Sequence, residues 1–129
     1  MCSSDLRISV FDRSRKPVFK PNSDEMTPYG EWVFSTLAWQ ISRYSQFAVE
    51  LEGHTEAGTK PVRPNYGAWE LSSDRAHTTR RKLLHDGVLS GQIRKVAGFG
   101  DTMPMPETEP EDDTNRRVTV MLKIRSAKS

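Results

Sequence analysis

The chain has 129 residues, of which 35% are hydrophobic and 28% charged, and its formal net charge is +2. This length suits one compact domain with a single core, and the composition is that of a polar globular chain rather than a disordered one. The small net charge gives no argument for a nucleic-acid partner. A single cysteine, Cys2, excludes an intramolecular disulfide and a cysteine-based metal site.

The beginning of the chain carries no visible targeting signal. No apolar run approaches the length of a membrane span, and no signal peptide is present. A lipoprotein role for Cys2 is disfavoured because no hydrophobic segment precedes it. A common sequencing-adapter end encodes Cys-Ser-Ser-Asp-Leu in one frame, so residues 1–5 are expected to be a non-native or linker start, with the native protein continuing upstream. Residues 6–125 are predicted to form the domain and 126–129 a tail.

The first half of the chain predicts a strand, a helix and a second strand. "LRISVF" alternates apolar and polar residues from Leu6 to Phe11, as a half-buried strand does. Thr27 followed by Pro28 is a typical helix start. Apolar side chains then recur at helical spacing, which predicts a helix of roughly four turns; they are Phe34, Leu37, Ile41 and Tyr44. "FAVELEGHT" places Phe47, Val49 and Leu51 on one face of the second strand.

The second half predicts a helix and two further strands. A long Pro/Gly-rich loop leads into the helix "WELSSDRAHTTRRKLL", which is expected to end at Gly87. "QIRKVAGFG" is strand-like, "DTMPMPETEPEDDTN" is a loop, and "RRVTVMLKI" alternates as a last strand, with Val118, Val120, Leu122 and Ile124 on one face. The fold class predicted is an α/β (α+β) sandwich in which helices pack on one face of a small mixed sheet.

The second helix presents an arginine at the edge of its apolar stripe. At about 100° per residue, the stripe expected to face inward consists of Trp69, Ser72, Ala76, Thr79 and Leu83. Arg75 lies at its border. Two interpretations follow: a surface arginine that lays its stem along the core, or a guanidinium presented at the end of the sheet to bind a ligand.

Two further polar segments follow or precede strands. "GHTE" ends the second strand ahead of the long loop, a position where small α/β proteins often bind ligands. His54 and Glu56 lack the third ligand that a metal site needs, so no metal or cofactor is expected, and His54 is expected to be a hydrogen-bonded structural residue. The two arginines of "TNRRV" point to opposite faces of a strand, so only one can join a given site. A carboxylate beside arginine suits a zwitterion.

The segments "VELEGHTE", "WELSSDRAHTTRRKLL", "IRKVAGFGDTMP" and "TNRRVTVML" resemble the OmpA-like peptidoglycan-binding domain over roughly residues 6–124. The "WELSxDRA" segment and the loop before it are more similar to flagellar stator members than to porin-type or lipoprotein members. The resemblance implies a β-α-β-α-β-β fold that binds peptidoglycan without catalysis. It further implies a periplasmic homodimer, tethered by an inner-membrane helix beside a membrane stator partner, that anchors an ion-driven motor to the cell wall.

The resemblance also implies the binding residues. Glu56 and Arg75 correspond to the acid and the arginine that hold the ammonium and the carboxylate of diaminopimelate in the peptide stem. The other implied positions are Thr55, Leu71, Ser72, Asn115 and Arg116. Two positions depart from the family pattern. Glu56 stands where Asp is usual, and Ala68 stands where many relatives have Asn, for which Asn65 is a possible substitute.

Three alternatives to a stator anchor stay open on the sequence. The first is the same domain in another envelope anchor, such as a lipoprotein, an outer-membrane protein or a secretion system. The second is an interaction domain whose wall binding has weakened, motivated by Glu56 and Ala68. The third, which is disfavoured, is a small enzyme that uses His54 and Glu56 as acid and base.

Overall fold

The computed structural model describes residues 5–13, 15–58 and 63–124. The elements are β1 (Asp5–Phe11), α1 (Pro28–Ser42), β2 (Phe47–His54), α2 (Ala68–His85), β3 (Ile93–Gly98) and β4 (Arg117–Ile124), with short 3₁₀ turns at Ser90–Gln92 and Asp113–Asn115. The predicted order of strands and helices is confirmed. The expectations for Cys2 and for the 126–129 tail lie outside the described residues, whereas Asp5 already belongs to β1.

The four strands form one mixed sheet in the order β1-β4-β2-β3. The last strand, β4, lies between β1 and β2 and is antiparallel to both, while β2 and β3 are parallel. The end of β1, the end of β2 and the start of β4 therefore meet at one edge of the sheet, because Phe11 and His54 both pair with Arg117.

Both helices pack on the same face of the sheet, as predicted. Alternate residues of β2 and β4, such as Val49, Leu51 and Val120, belong to one apolar cluster with Phe34 of α1 and Leu83 of α2. The cluster also contains Val18, Phe19, Met26, Ala38, Ile41, Val88, Val118 and Leu122. Burial of these side chains is the main stabilising contribution to the fold.

The helix ends follow the predicted local chemistry. The Thr27 hydroxyl accepts a hydrogen bond from the Gly30 amide at 3.0 Å, which caps α1. Gly87, two residues past α2, has φ of +113°, a value that glycine adopts without strain. Tyr44 and Ile124 depart from the predicted pattern, because Tyr44 follows the end of α1 and both side chains are exposed.

Two glycines let α2 lie directly against the sheet. Gly53 of β2 and Gly98 of β3 are register partners. A Cβ atom on Gly53 would be 2.1 Å from the Ser72 carbonyl oxygen, and one on Gly98 would be 2.4 Å from the Ser73 amide nitrogen. The helix backbone therefore lies directly against the strands at Ser72 and Ser73, and only glycine fits at the two strand positions.

This close approach sets the rotation of α2, and the predicted inward stripe is wrong at Trp69. Trp69 is 56% exposed, whereas Leu71, Ser72 and Arg75 are buried. Because the α2 backbone lies directly against the strand backbone, no space remains beneath the first turn of α2 for an indole ring. The ring of Trp69 lies over Gly100 instead, 3.4 Å from where a Cβ atom on that glycine would be.

Neither α1 nor α2, nor any other helix within the described ranges, has the length and apolar character needed to cross a membrane.

Candidate functional site

A cavity of about 690 Å³ opens at the sheet edge where β1 and β2 end. Its walls come from the loop after β1, the loop after β2, the first half of α2 and the segment that leads into β4. The lining residues are Asp12, Arg13, Pro17, Phe19, Pro21, Asn22, Thr55, Glu56, Ala57, Gly58, Leu71, Arg75, Glu111 and Arg116. Five of the seven residues expected in the site, Thr55, Glu56, Leu71, Arg75 and Arg116, therefore line one cavity.

Arg75 is buried rather than placed at the surface, since only 5% of it is exposed. Its Nη1 donates to Asp12 Oδ2 at 3.0 Å and its Nε to the Ser23 carbonyl at 2.8 Å. A longer bond of 3.4 Å joins Nη2 to the Lys20 carbonyl, and the guanidinium carbon lies 4.8 Å from the centre of the Phe19 ring. Arg75 is thus fixed on several sides, and the interpretation of a snorkelling surface arginine is wrong.

Burial lowers the pKa of Arg75, and the neighbouring Asp12 carboxylate acts in the opposite direction. Arginine retains its proton because its ordinary pKa is far above neutrality. The cavity wall therefore holds a permanent positive charge whose position is fixed by hydrogen bonds.

Asp12 connects Arg75 and Arg116, two of the three arginines that line the cavity, and the sequence reasoning missed it. One carboxylate oxygen accepts the amides of Val18 and Phe19 at 2.8 and 3.2 Å, and the other accepts from Arg75. The Asp12 carbonyl accepts Nε of Arg116 at 2.7 Å. A signal was present in the sequence, because Asp12 directly follows a strand, as the polar residues of "GHTE" do.

Glu56 and Arg116 form a partly buried ion pair in the cavity wall. The distance from Glu56 Oε2 to Arg116 Nη1 is 2.9 Å, and about a fifth to a quarter of each side chain is exposed. The adjacent Arg117 points elsewhere, donating to the Met103 carbonyl at 2.9 Å. As predicted for adjacent strand residues, only one of the two arginines reaches the cavity.

Thr55 adds a hydroxyl to the cavity wall. Its side-chain oxygen is buried and has no hydrogen-bond partner among the described residues. The Thr55 amide donates to the Gly100 carbonyl at 2.8 Å, which fixes the backbone at this point. A ligand that accepts or donates a hydrogen bond here would satisfy a group that otherwise costs free energy to bury.

Ser72 and Asn115 do not line the cavity, and both are fully buried. The Ser72 hydroxyl accepts the Gly100 amide at 2.9 Å and so ties α2 to the loop after β3. Asn115 Oδ1 accepts the Met105 amide at 2.6 Å, and its amide group donates to the Glu109 carbonyl at 2.9 Å. These contacts join α2 and the segment before β4 to neighbouring loops, and a direct role of the two side chains in binding stays a prediction.

The two positions that depart from the family pattern differ in their location. Glu56 is in the cavity wall, where its extra methylene relative to Asp extends its reach. Ala68, the first residue of α2, is outside the lining. Asn65 is an exposed loop residue with φ of +61°, and it is also outside the lining, so its amide does not replace the missing one.

His54 lies away from the cavity, on the sheet face opposite the helices. Its ring stacks on Phe99 with 5.3 Å between centres and 10° between planes. Both ring nitrogens are buried and lack hydrogen-bond partners within the described part of the chain, and Nε2 is 3.5 Å from Glu52 Oε1. His54 is thus a buried residue beside the Glu52 carboxylate. No group of three or more His, Cys, Asp or Glu side chains in residues 5–13, 15–58 and 63–124 could hold a metal ion.

The environment of His54 predicts an acid-sensitive contribution to stability. Burial lowers the pKa of His54, as does the Arg117 charge, while Glu52 opposes the shift. Unfolded His54 titrates near 6.5, so below that pH the unfolded chain takes up a proton that the folded domain resists, and the free energy of unfolding falls. We expect the urea midpoint of His54→Gln to fall less than that of the wild type between pH 7.5 and 5. Equal slopes for the wild type and His54→Gln would contradict the assignment.

Comparison with known proteins decides the family. Residues 18–117 match the OmpA family.

The chain belongs to the OmpA family.

The predicted resemblance to OmpA-like domains is thus confirmed, and the match includes most of the cavity lining, with Arg75 and Arg116. Two curated relatives of this OmpA-like domain are motility proteins. Motility protein B of Escherichia coli (strain K12) is 32% identical over 122 residues, which cover 91% of this chain and 38% of that protein. The putative truncated flagellar export/assembly protein LafU of the same strain is 28% identical over 123 residues, covering 95% and 57%. The OmpA-like domain therefore spans less than two thirds of the length of either relative.

Solved structures share the fold of this OmpA-like domain. A putative MotB-like protein from Desulfovibrio vulgaris has a TM-score of 0.78 at 24% identity, covering 95% of this chain and 75% of that one. The periplasmic domain of Helicobacter pylori MotB (residues 78–256) has a TM-score of 0.73 at 19% identity, covering 96% and 78%. The peptidoglycan-associated lipoprotein of Burkholderia pseudomallei has a TM-score of 0.66 at 21% identity, covering 88% of both chains. The domain is thus related in fold to MotB and to peptidoglycan-associated proteins.

Proposed function

We propose that this OmpA-like domain is a non-catalytic anchor that binds the peptide stem of peptidoglycan. The observation that carries the proposal is the cavity itself, in which the carboxylate of Glu56 and the guanidinium groups of Arg75 and Arg116 surround one space at the sheet edge. Diaminopimelate, the zwitterionic residue of many peptide stems, presents an ammonium and a carboxylate close together. A cavity with fixed charges of both signs suits such a group.

In this proposal Arg75 binds the ligand carboxylate. A guanidinium has five N–H donors, and three of the five in Arg75 are engaged with Asp12, Ser23 and Lys20. The remaining donors can form a bidentate pair with a carboxylate that enters the cavity. Because the group is fixed beforehand, little side-chain entropy is lost on binding.

Glu56 binds the ammonium in the same proposal. Its carboxylate already accepts Nη1 of Arg116 at 2.9 Å, so the ligand ammonium joins an existing pair or displaces it. The longer side chain of glutamate, compared with the usual aspartate, allows Glu56 to reach the ligand while Arg116 stays bound to the Asp12 carbonyl. Thr55, whose hydroxyl has no hydrogen-bond partner among the residues that the structure describes, supplies a further hydrogen bond.

The proposed biological setting is the flagellar stator. The relatives named above are motility protein B and a flagellar export/assembly protein. By analogy, the domain would act in the periplasm as a homodimer, held to the inner membrane by a helix elsewhere in the full protein and working with a membrane stator partner. Similarity to the Burkholderia lipoprotein equally suits an anchor of another envelope system, which is the alternative.

Wall binding is preferred to catalysis because the two candidate catalytic groups are separated. Glu56 lines the cavity, but His54 does not and instead stacks on Phe99 beneath the sheet. An acid and a base must both reach the same substrate bond. Incubating the domain with purified peptidoglycan should therefore release no soluble fragments.

Co-sedimentation with purified sacculi tests the proposal. The wild type should pellet with sacculi, and Glu56→Gln should lower the affinity by about tenfold or more, since hydrogen bonds to charged groups contribute about 1.5–3 kcal/mol. The partial exposure of Glu56 places the effect nearer the lower end of that range. Arg75→Lys keeps the positive charge but lacks the paired N–H donors of the guanidinium, so it should also weaken binding.

Matched controls separate binding from folding. Glu109→Gln and Arg81→Gln remove exposed charges outside the cavity and should pellet like the wild type. Thermal unfolding of each variant shows whether it is folded. If the wild type pellets and folded Glu56→Gln and Arg75→Lys pellet equally well, the assigned site is wrong. If the wild type stays in solution, wall binding by this domain is refuted.

A further inference from the structure

A second groove lies beside the cavity, at the start of α1. It has a volume of about 370 Å³ and is lined by Ser9, Val10, Phe11, Arg13, Lys16, Tyr29 and Val33. Arg13 also lines the first cavity, and Phe11 and Lys16 lie within a few residues of the cavity residues Asp12 and Pro17 in the sequence. The groove, named here the Lys16 groove, thus adjoins the first cavity at Arg13.

The Lys16 groove combines cations with aromatic rings. The Arg13 guanidinium carbon lies 5.3 Å from the centre of the Phe11 ring, and Lys16 Nζ lies 5.5 Å from the centre of the Tyr29 ring. Tyr29 in turn stacks on Trp32, which is 64% exposed. Large exposed rings on a polar domain are typical of a contact surface, and cation–π contacts hold the two cations over that surface.

The charge of the groove is of one sign. Its lining contains two basic residues and no acidic ones. Neither Arg13 nor Lys16 forms an ion pair with a carboxylate in the described part of the chain. Hydrogen bonds from Thr114 chiefly lower the pKa of Asp112, and Arg13 adds a small effect, so Lys16 is the cation less engaged with acidic residues of the domain.

We propose that the Lys16 groove binds a second carboxylate of the same peptide stem whose zwitterionic residue occupies the first cavity. Lys16 and Arg13 pair with the carboxylate, and the rings of Phe11 and Tyr29 contact the adjoining apolar part of the stem. The inference rests on the proposed function and adds to it a preference for stems that carry a free carboxylate next to diaminopimelate. A stem in which that carboxylate is an amide would bind less tightly.

A matched pair of ligands tests the proposal by isothermal titration calorimetry. One is a disaccharide–tripeptide with isoglutamate before diaminopimelate, and the other carries isoglutamine there; free diaminopimelate reports on the first cavity alone. The wild type should bind the isoglutamate form about threefold to tenfold more tightly, as suits one or two partly exposed ion pairs. Lys16→Gln, which changes a residue of the groove that does not line the first cavity, should lose most of this preference and keep the wild-type affinity for free diaminopimelate.

Lys20→Gln is the matched control, because Lys20 is an exposed lysine of the same loop that pairs with Glu25 and does not line the groove. It should keep the preference. A Lys16→Gln variant that still shows the full preference for the isoglutamate form, or that loses free diaminopimelate equally, would overturn the role of the groove. If the wild type binds none of the three ligands, the proposed function itself fails, an outcome distinct from loss of the preference alone.

Discussion

Replacing Asp12 with alanine is expected to lower the free energy of unfolding by about 3–5 kcal/mol, the cost of leaving a buried charge without its partner. The Asp12–Arg75 pair is nearly inaccessible, with side-chain exposures of 9% and 6%. The change also removes the acceptor for two backbone amides, those of Val18 and Phe19. Because domains of this size are stable by only about 5–15 kcal/mol, the loss is a large fraction of the total. Urea denaturation at neutral pH measures it.

A double-mutant cycle separates the charge effect from other losses. Arg75→Met alone leaves Asp12 unpaired, whereas Asp12→Ala/Arg75→Met removes both charges together. The double variant should therefore be more stable than the sum of the two single changes implies, by about 1–3 kcal/mol. Asp101→Asn, at an exposed loop acid, should change the stability by less than about 0.5 kcal/mol. If the effects of Asp12→Ala and Arg75→Met on the free energy of unfolding are additive, the Asp12–Arg75 pair makes no specific contribution to stability.

Gly53→Ala is expected to lower the free energy of unfolding by about 3 kcal/mol, at the upper end of typical overpacking costs. The new methyl group would sit 2.1 Å from the Ser72 carbonyl oxygen, a backbone atom that cannot rotate away. The helix must then move off the sheet, and Arg75, one turn further along α2, moves with it. Sacculus binding should therefore fall in the fraction of the variant that remains folded.

Gly91→Ala is the natural comparison for this change. A Cβ atom on Gly91 meets no heavy atom within 4 Å, and its backbone does not have a left-handed φ. It should be neutral or slightly stabilising, by up to about 1 kcal/mol. Thermal unfolding of Gly53→Ala, Gly98→Ala and Gly91→Ala side by side measures the contrast. Near-identical midpoints would mean that the contact between α2 and the sheet adapts easily.

Much of the fold could be predicted from local chemistry. Thr27 and Pro28 mark the start of α1, Gly87 follows the end of α2, and alternating residues such as Val118 and Val120 mark a strand. Each of these signals depends on residues close together in the chain. The rotation of α2 could not be read in this way, because it depends on two glycines in strands that precede and follow the helix.

The candidate site could likewise be predicted only where the signal was local in the sequence. Glu56 and Arg116 could be placed at one sheet edge because each adjoins a strand end. The burial of Arg75 and its pairing with Asp12 could not be predicted. The two residues are 63 positions apart, and neither lies in a local pattern that predicts a pair. Ser72 and Asn115 belong to recognisable motifs, but a motif does not distinguish a residue that touches the ligand from one that supports the wall.

The central position of β4 has a consequence for how the chain folds. The strand β4, Arg117–Ile124, pairs on one side with β1, more than a hundred residues earlier, and on the other side with β2. Until those eight residues are available, β1 has no neighbouring strand in the sheet. The apolar core also lacks the β4 side chains that cluster with Phe34 of α1. Contacts so distant in sequence slow folding, because a long loop must close before any pairing compensates for the lost chain entropy. A ribosome-bound chain therefore cannot complete its native sheet until residue 124 has been synthesised.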